Sequence, residues 1–330
     1  MQTSPLRGVN FGGWLILEKW MTPSVFAGSD AVDEYTLSQT EAGKAAIKTH
    51  RDTFITEDDF IWLRNNGLTA IRLPVGYWMF GGEAPYLSQV SYVDWAMEMA
   101  NKYEIEVIVD LHGLKGSQNG HEHSGKIGKS EWFSNREYRD ESLVTLKRIA
   151  ERYKDNPQLW GIQIINEPRL GLFHFKLRAY YKRANKLLES ILKPHTRIIY
   201  SDGFTPRLLN GALRRSPRAV MDAHLYHATK PWTQFVSLNT YYRSLNRQKR
   251  FIKRLSKTQP IIVGEWSGSF RQPIFDSFPV AQHGKLVGDH SRRQIESFAH
   301  AAGWFYWNYK TEKTGVWHFR SQVDEGFIQL

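Results

Sequence analysis

Short apolar runs recur along the chain, separated by longer stretches whose apolar residues return every three or four positions. The runs are Arg7–Phe11, Leu68–Leu73, Glu106–Leu111, Gly161–Glu167, Arg197–Tyr200, Ala219–His224, Pro260–Trp266 and Gly303–Trp307. Continuous runs of this length, without polar alternation, predict strands buried on both faces, as in a parallel sheet. The stretches between them predict helices over Glu57–Asn66, Ser88–Tyr103, Glu137–Lys154, His174–Leu192, Tyr241–Ser256 and Ser291–Ala302. Thr56 is a candidate N-cap for the first of these, and Gly67 stands just past its end. Eight strands alternating with helices is the rhythm of an α/β protein built as a (β/α)8 TIM barrel. With no internal repeat, low-complexity tract or linker, residues 1–330 are expected to form one domain.

Several runs turn polar where they end. Gly161-Ile162-Gln163-Ile164-Ile165 closes on Asn166-Glu167-Pro168, and Pro260-Ile261-Ile262-Val263 closes on Gly264-Glu265-Trp266. A buried strand that ends in glutamate brings a carboxylic acid to the rim of the core, where desolvation raises its pKa. Two such strands predict two carboxyl groups at one site. Strand ends share one face in this architecture, and that face carries the chemistry. The other ends supply Arg72, His112, Asn166, His224, Tyr226 and Trp307. Each alone has an ordinary explanation as a salt bridge, a core histidine or packing; eight on one face do not. Near the start, Gly12-Gly13 lets the backbone pass close to something bulky, and Glu18 closes the apolar run that follows. Leu114–Trp132 reads as a long loop rich in Gly, Ser, Lys and His, of the kind that forms lids or binding loops.

The eight strand-end residues resemble the set that defines the active site of glycoside hydrolase family 5. The stretch Arg7–Leu15 with Glu18, and Asp110-Leu111-His112-Gly113 followed by Gly116–Gly120, are similar to the exo-β-1,3-glucanases of that family. The resemblance runs from about residue 7 to 310. It implies Glu167 as general acid/base and Glu265 as nucleophile of a retaining enzyme. Arg72 and Tyr226 would hold Glu265 ionised, Asn166 would bind the sugar 2-OH, and His224 would tune Glu167. His112 would reach sugar hydroxyls, Trp307 would floor the sugar ring, and Glu18 would bind the terminal non-reducing glucose. Phe133, with Trp132, falls where the fungal enzymes place one phenylalanine of an aromatic entrance clamp, and Trp232 is the substitute for its partner. The implied function is release of glucose from β-1,3-glucan ends. β-1,6-Glucanase, endo-β-1,4-glucanase and β-glucosidase or glucosylceramidase-type activities are the alternatives within the family, and a non-catalytic glucan-binding protein is the alternative outside it. No cofactor and no metal are implied.

Composition narrows the picture. Hydrophobic content is 41% and aromatic content 14%, with twelve tryptophans, as expected of a globular protein that offers rings for stacking. The absence of cysteine excludes disulfides, thiol catalysis and thiolate metal sites. His121-Glu122-His123 has alternate spacing in a Gly-rich loop, a poor tetrahedral metal site. No Gly-x-Ser-x-Gly elbow supports a serine hydrolase. The net charge of +11 is spread over clusters in helices and loops, where a solvated face is the commoner explanation, so nucleic acid is not an expected partner. No run is long enough to span a membrane. Residues 1–5 show no secretory signal, so both a cytoplasmic protein and a trimmed secreted or periplasmic one fit. Monomer is the default state.

Overall fold

A computed structural model describes residues 4–169, 174–228 and 237–330. Eight parallel strands close into a barrel in chain order. They are β1 (Leu6–Asn10), β2 (Ala70–Gly76), β3 (Glu106–Gly113), β4 (Leu159–Gln163), β5 (Arg197–Ser201), β6 (Ala219–His224), β7 (Ile261–Trp266) and β8 (Gly303–Tyr306), with β8 pairing back onto β1. The (β/α)8 expectation holds. Side chains alternate across each strand, so each strand sends one set into the barrel and the other toward the helices. Ala70, Ile108, Ile199, Val220, Ile262 and Phe305 fill the inner layer. The larger cluster, which includes Ile71, Val107, Ile162, Val263 and Trp266, packs with helix residues such as Val93, Ile149, Leu177 and Phe298.

Several boundaries differ from the sequence expectation, each for a local reason. β2 runs through Pro74, which pairs with Asp110 of β3, and ends at Gly76 rather than Leu73. β4 leaves the ladder after Gln163, so Asn166 and Glu167 lie beyond the strand, with Glu167 at φ +39°. The last large helix occupies His283–Ser297, earlier than Ser291–Ala302. Two helices lie in a stretch not read as structured. Glu34–Leu37 carries a capping box at Asp33, and Glu41–Phe54 is capped by Thr40. Among the described residues no helix is long and apolar enough to cross a membrane.

Candidate active site

The inward alternation continues upward from the apolar layer into a polar one. Ala70 is followed on its face by Arg72, Ile108 by Asp110 and His112, and Val220 by Asp222 and His224. All of these polar groups are buried. The Asp-x-His spacing on β3 and β6 puts each aspartate beside its own histidine. Asp110 Oδ2 lies 2.6 Å from His112 Nδ1, and Asp222 Oδ2 lies 3.1 Å from His224 Nε2. Glu265 should face outward by strict alternation, as Val263 does. A register irregularity between Val263 and Trp266 turns it inward. Gly264 permits this, because a Cβ there would sit 2.2 Å from Asp222 Oδ1, whose partner is the Gly264 amide at 2.7 Å.

Glu265 receives Arg72 Nη1 at 2.9 Å on one oxygen and the Tyr226 hydroxyl at 2.8 Å on the other. Glu167 Oε1 meets His224 Nδ1 at 2.6 Å. One oxygen of each glutamate and a ring nitrogen of His224 all lie within 4.8 Å of one another. Arg72 is the hub. Its other donors reach Asn10 and Asn166 at 2.8 Å, Gln163 at 2.9 Å and Asp110 at 2.9 Å. Asn166 Oδ1 is taken by Arg72, which leaves its amide nitrogen facing His112 Nε2 at 3.2 Å.

The long loop expected to form a lid or binding loop lines the cavity with Gly120–His123 and braces the end of the Glu167 strand. Gln118 donates to the carbonyls of His112 (2.7 Å) and Asn166 (2.9 Å), and Asn119 donates to the Glu167 carbonyl at 3.0 Å. These bonds satisfy backbone groups that β4 leaves unpaired when it breaks from the ladder. The same loop carries His123 to within 3.6 Å of Glu167 and 3.3 Å of His112. In sequence His123 stands out only as part of a poor metal motif. Its place beside Glu167 depends on how the loop folds back, which spacing does not show.

Glu18, Tyr226, Trp307, Glu167 and Glu265 line one cavity of about 550 Å³, together with Trp20, Trp317 and His123. Trp307 stacks on His112 at 5.7 Å, and its ring passes where a Cβ on Gly12 would be, 2.7 Å away. Asn308 clamps the Gly12 backbone on both sides, at 2.9 and 2.8 Å, which ties the glycine pair to the end of β8. Trp20 donates to Glu18 at 2.8 Å and packs edge-on against Trp317. Neither tryptophan was singled out from sequence, since each lies in a loop with no periodic signal.

The entrance ring expected at Phe133 is not at the cavity. Phe133 is 2% exposed and Trp132 is fully buried, edge-on to Tyr180 of the helix His174–Glu189. Apolar packing has taken both rings into the core. Trp232 lies outside the described residues. Phe204, lining a small cavity with Glu167, is 58% accessible and edge-on to His224 at 6.1 Å.

Burial sets the electrostatics, and the histidines redistribute it. Burial pushes Glu265 up to about 7, with Glu167 adding to the rise while His224, Arg72 and Tyr226 oppose it. Burial acts the same way on Glu167, but the His224 hydrogen bond and the charges around it prevail and hold it down to about 2. Burial opposes the charge on His224, yet Glu265 and Asp222 lift its pKa well above the usual histidine range. Glu167 and His224 are joined by the 2.6 Å bond, and the pair titrates as a unit. His112 is held neutral by burial and by Arg72, which fits an Nδ1 proton on Asp110 and a free Nε2 for Asn166. Burial and the nearby carboxylates push Glu18 up to about 8, against the Trp20 bond.

A closed parallel barrel with two glutamates converging at the carboxyl ends of β4 and β7 defines a (β/α)8 glycoside hydrolase. Comparison with known proteins places it further. The model of the cellulase family, glycosyl hydrolase family 5, matches residues 34–313, and the chain belongs to that family. A probable glucan 1,3-beta-glucosidase A of Aspergillus terreus is 33% identical over 98% of this chain and 88% of its own length. The protein of the same name from Aspergillus niger is 31% identical over 94% and 84%. Among solved structures, a rutinosidase from Aspergillus niger superimposes with a TM-score of 0.85 at 22% identity, covering 99% of this chain and 98% of that one. Cel5A of Thermotoga maritima in complex with cellobiose gives 0.61 at 19%, covering 99% and 98%. At those identities the structures speak to the fold.

Proposed function

We propose that this enzyme is a retaining exo-β-1,3-glucanase, removing single glucose units from the non-reducing ends of β-1,3-glucans. The observation that carries the chemistry is the approach of Glu167 and Glu265 within 4.8 Å. A retaining glycosidase needs its carboxyl groups roughly 5–5.5 Å apart, whereas an inverting one leaves roughly 6.5–9.5 Å for a water. The names borne by relatives about 30% identical over nearly the whole chain support the β-1,3-glucan substrate.

Glu265 is the nucleophile. Arg72 and Tyr226 donate to it, His224 Nδ1 lies 3.3 Å away, and together they favour the ionised form once substrate arrives. Its carboxylate attacks the anomeric carbon, the glycosidic C–O bond breaks, and the departing oxygen takes the proton shared by Glu167 and His224. With that proton gone, the Glu167 carboxylate removes a proton from water, which attacks the same carbon, breaks its bond to Glu265 and frees the sugar with its configuration retained. Arg72 orients Glu265 and Asn166 together, so one buried cation positions both the nucleophile and the group offered to the 2-OH. Trp307 supplies the apolar floor. Glu18, braced by Trp20, closes the sugar cavity and meets the hydroxyls of a terminal glucose, which favours release from chain ends.

Azide trapping tests the two roles. With an activated aryl β-glucoside, Glu265→Ala in azide should yield the α-glucosyl azide, and Glu167→Ala the β-glucosyl azide. The reverse assignment of products would exchange the roles, and no azide product from either variant would remove both.

A further inference from the structure

A second cavity, about 940 Å³, meets the sugar cavity at Tyr226. One wall is the turn after β5, with Phe204, Pro206 and Arg207. The other is the helix Leu238–Leu255, which presents Arg247, Arg250, Phe251 and Arg254. Phe204 also lines a small cavity beside Glu167, so the groove begins at the acid that protonates the leaving oxygen. At Phe204 the backbone is left-handed, φ +57°, a conformation that a bulky residue holds only where its surroundings enforce it. The ring it presents is the one exposed aromatic at that lip among the described residues lining either cavity.

The charge of this groove is unbalanced. The helix Leu238–Leu255 carries six basic residues and no acidic one. Some surface arginines meet carboxylates, as Arg152 does Asp94, Arg183 does Asp140 and Arg292 does Glu296. None of the four groove arginines has a carboxylate within 4.0 Å among the described residues, and residues 1–3, 170–173 and 229–236 contain no Asp or Glu. The single carboxyl in the wall, Asp202, is buried, and its oxygen accepts from the Phe204 amide at 2.9 Å. Guanidinium groups around an apolar floor of Phe204, Pro206 and Phe251 suit an oxyanion on an apolar body.

We propose that this groove is the leaving-group subsite and that it selects β-glucosides whose aglycone is apolar and carries an anionic group, a carboxylate, sulfate or phosphate. This extends the substrate class beyond neutral glucans, and it rests on Glu167 as the acid. The glucose stays in the cavity of Glu18 and Trp307; the four arginines act on what departs.

The test compares two aryl β-glucosides with phenols of equal acidity, one neutral and one bearing a phosphate on a short methylene linker. The readout is the ratio of their kcat/KM values. The ratio should be about ten or more at about 50 mM salt, and fall toward one at about 500 mM, as an exposed charge contact does. In the double variant Arg207→Gln with Arg247→Gln it should also fall toward one. Because the ratio is internal to each preparation, partial loss of folded protein cancels. A ratio of one or less in the native enzyme at low salt overturns the proposal, as does a ratio the double variant leaves unchanged. Turnover of the neutral glucoside that is lost in Glu265→Gln keeps the catalytic reading in either case. No turnover of either glucoside would sink that reading and the groove with it.

Discussion

Burial and His224 set the state of the two glutamates, and the Tyr226 hydroxyl adjusts that of Glu265. Activity needs Glu265 without its proton and the Glu167–His224 pair with one. Glu265 is raised, so activity is present above its pKa and lost as pH falls through it; the acid limb should lie above the ordinary glutamate range, toward about 7. His224 is raised, so the pair keeps its proton to higher pH and activity is lost only as pH rises through that elevated value. Tyr226→Phe removes a bond that lowers the Glu265 pKa, so the acid limb of kcat/KM should move to higher pH while the alkaline limb stays. A limb that does not move would show that Tyr226 acts on substrate alone. At this scale much was legible. The residues ending the runs on β2, β3, β6 and β7 were read from sequence. So was the partnering of Arg72 and Tyr226 with Glu265, although that rested on the family resemblance. His123, Trp20 and Trp317 were not legible, because loop closure rather than periodicity brings them in. Phe133 was misplaced because sequence shows that a ring is present and not which way it packs.

Between the strands, the elements that fix the site are those with the weakest sequence signal. The turn inward of Glu265 depends on an irregularity in β7 that only Gly264 announces. The segment leading to Glu18 is held by a buried ion pair: Arg51 meets Glu34 at 2.7 Å and the Leu15 carbonyl at 2.8 Å, while Glu34 accepts the Leu17 amide at 3.0 Å. Both side chains come from helices that the apolar pattern did not show, since Glu34–Leu37 is a single turn and Glu41–Phe54 opens on mixed polar residues. Arg51→Met leaves Glu34 buried without its cation and should lower stability by about 3–5 kcal/mol in urea unfolding. A loss under about 1 kcal/mol would show that Glu34 relaxes or takes a proton without cost. Gly12→Ala pushes a methyl into the Trp307 ring and should cost about 100-fold in kcat/KM, the scale of a 1 Å misplacement at a reacting site. An unchanged kcat/KM would mean that Trp307 is not fixed by this contact.

Across the molecule, the barrel was read from eight apolar runs, because a parallel sheet covered by helices needs strands that are apolar on both faces. The net charge of +11 reads in sequence as solvated clusters, and some of the surface basic groups pair with carboxylates. The gathering of four arginines around the 940 Å³ groove is invisible in sequence, because they come from two elements that meet only in the fold. Glu18 and Trp20 share the lining of the proposed sugar cavity with Trp307 and the two glutamates. The central claim is retention at a chain end. The most direct measurement follows early hydrolysis of laminarin by proton NMR and product chromatography together. The account predicts glucose as the only early product, appearing first as the β-anomer. Oligomers, or glucose appearing first as the α-anomer, would contradict it.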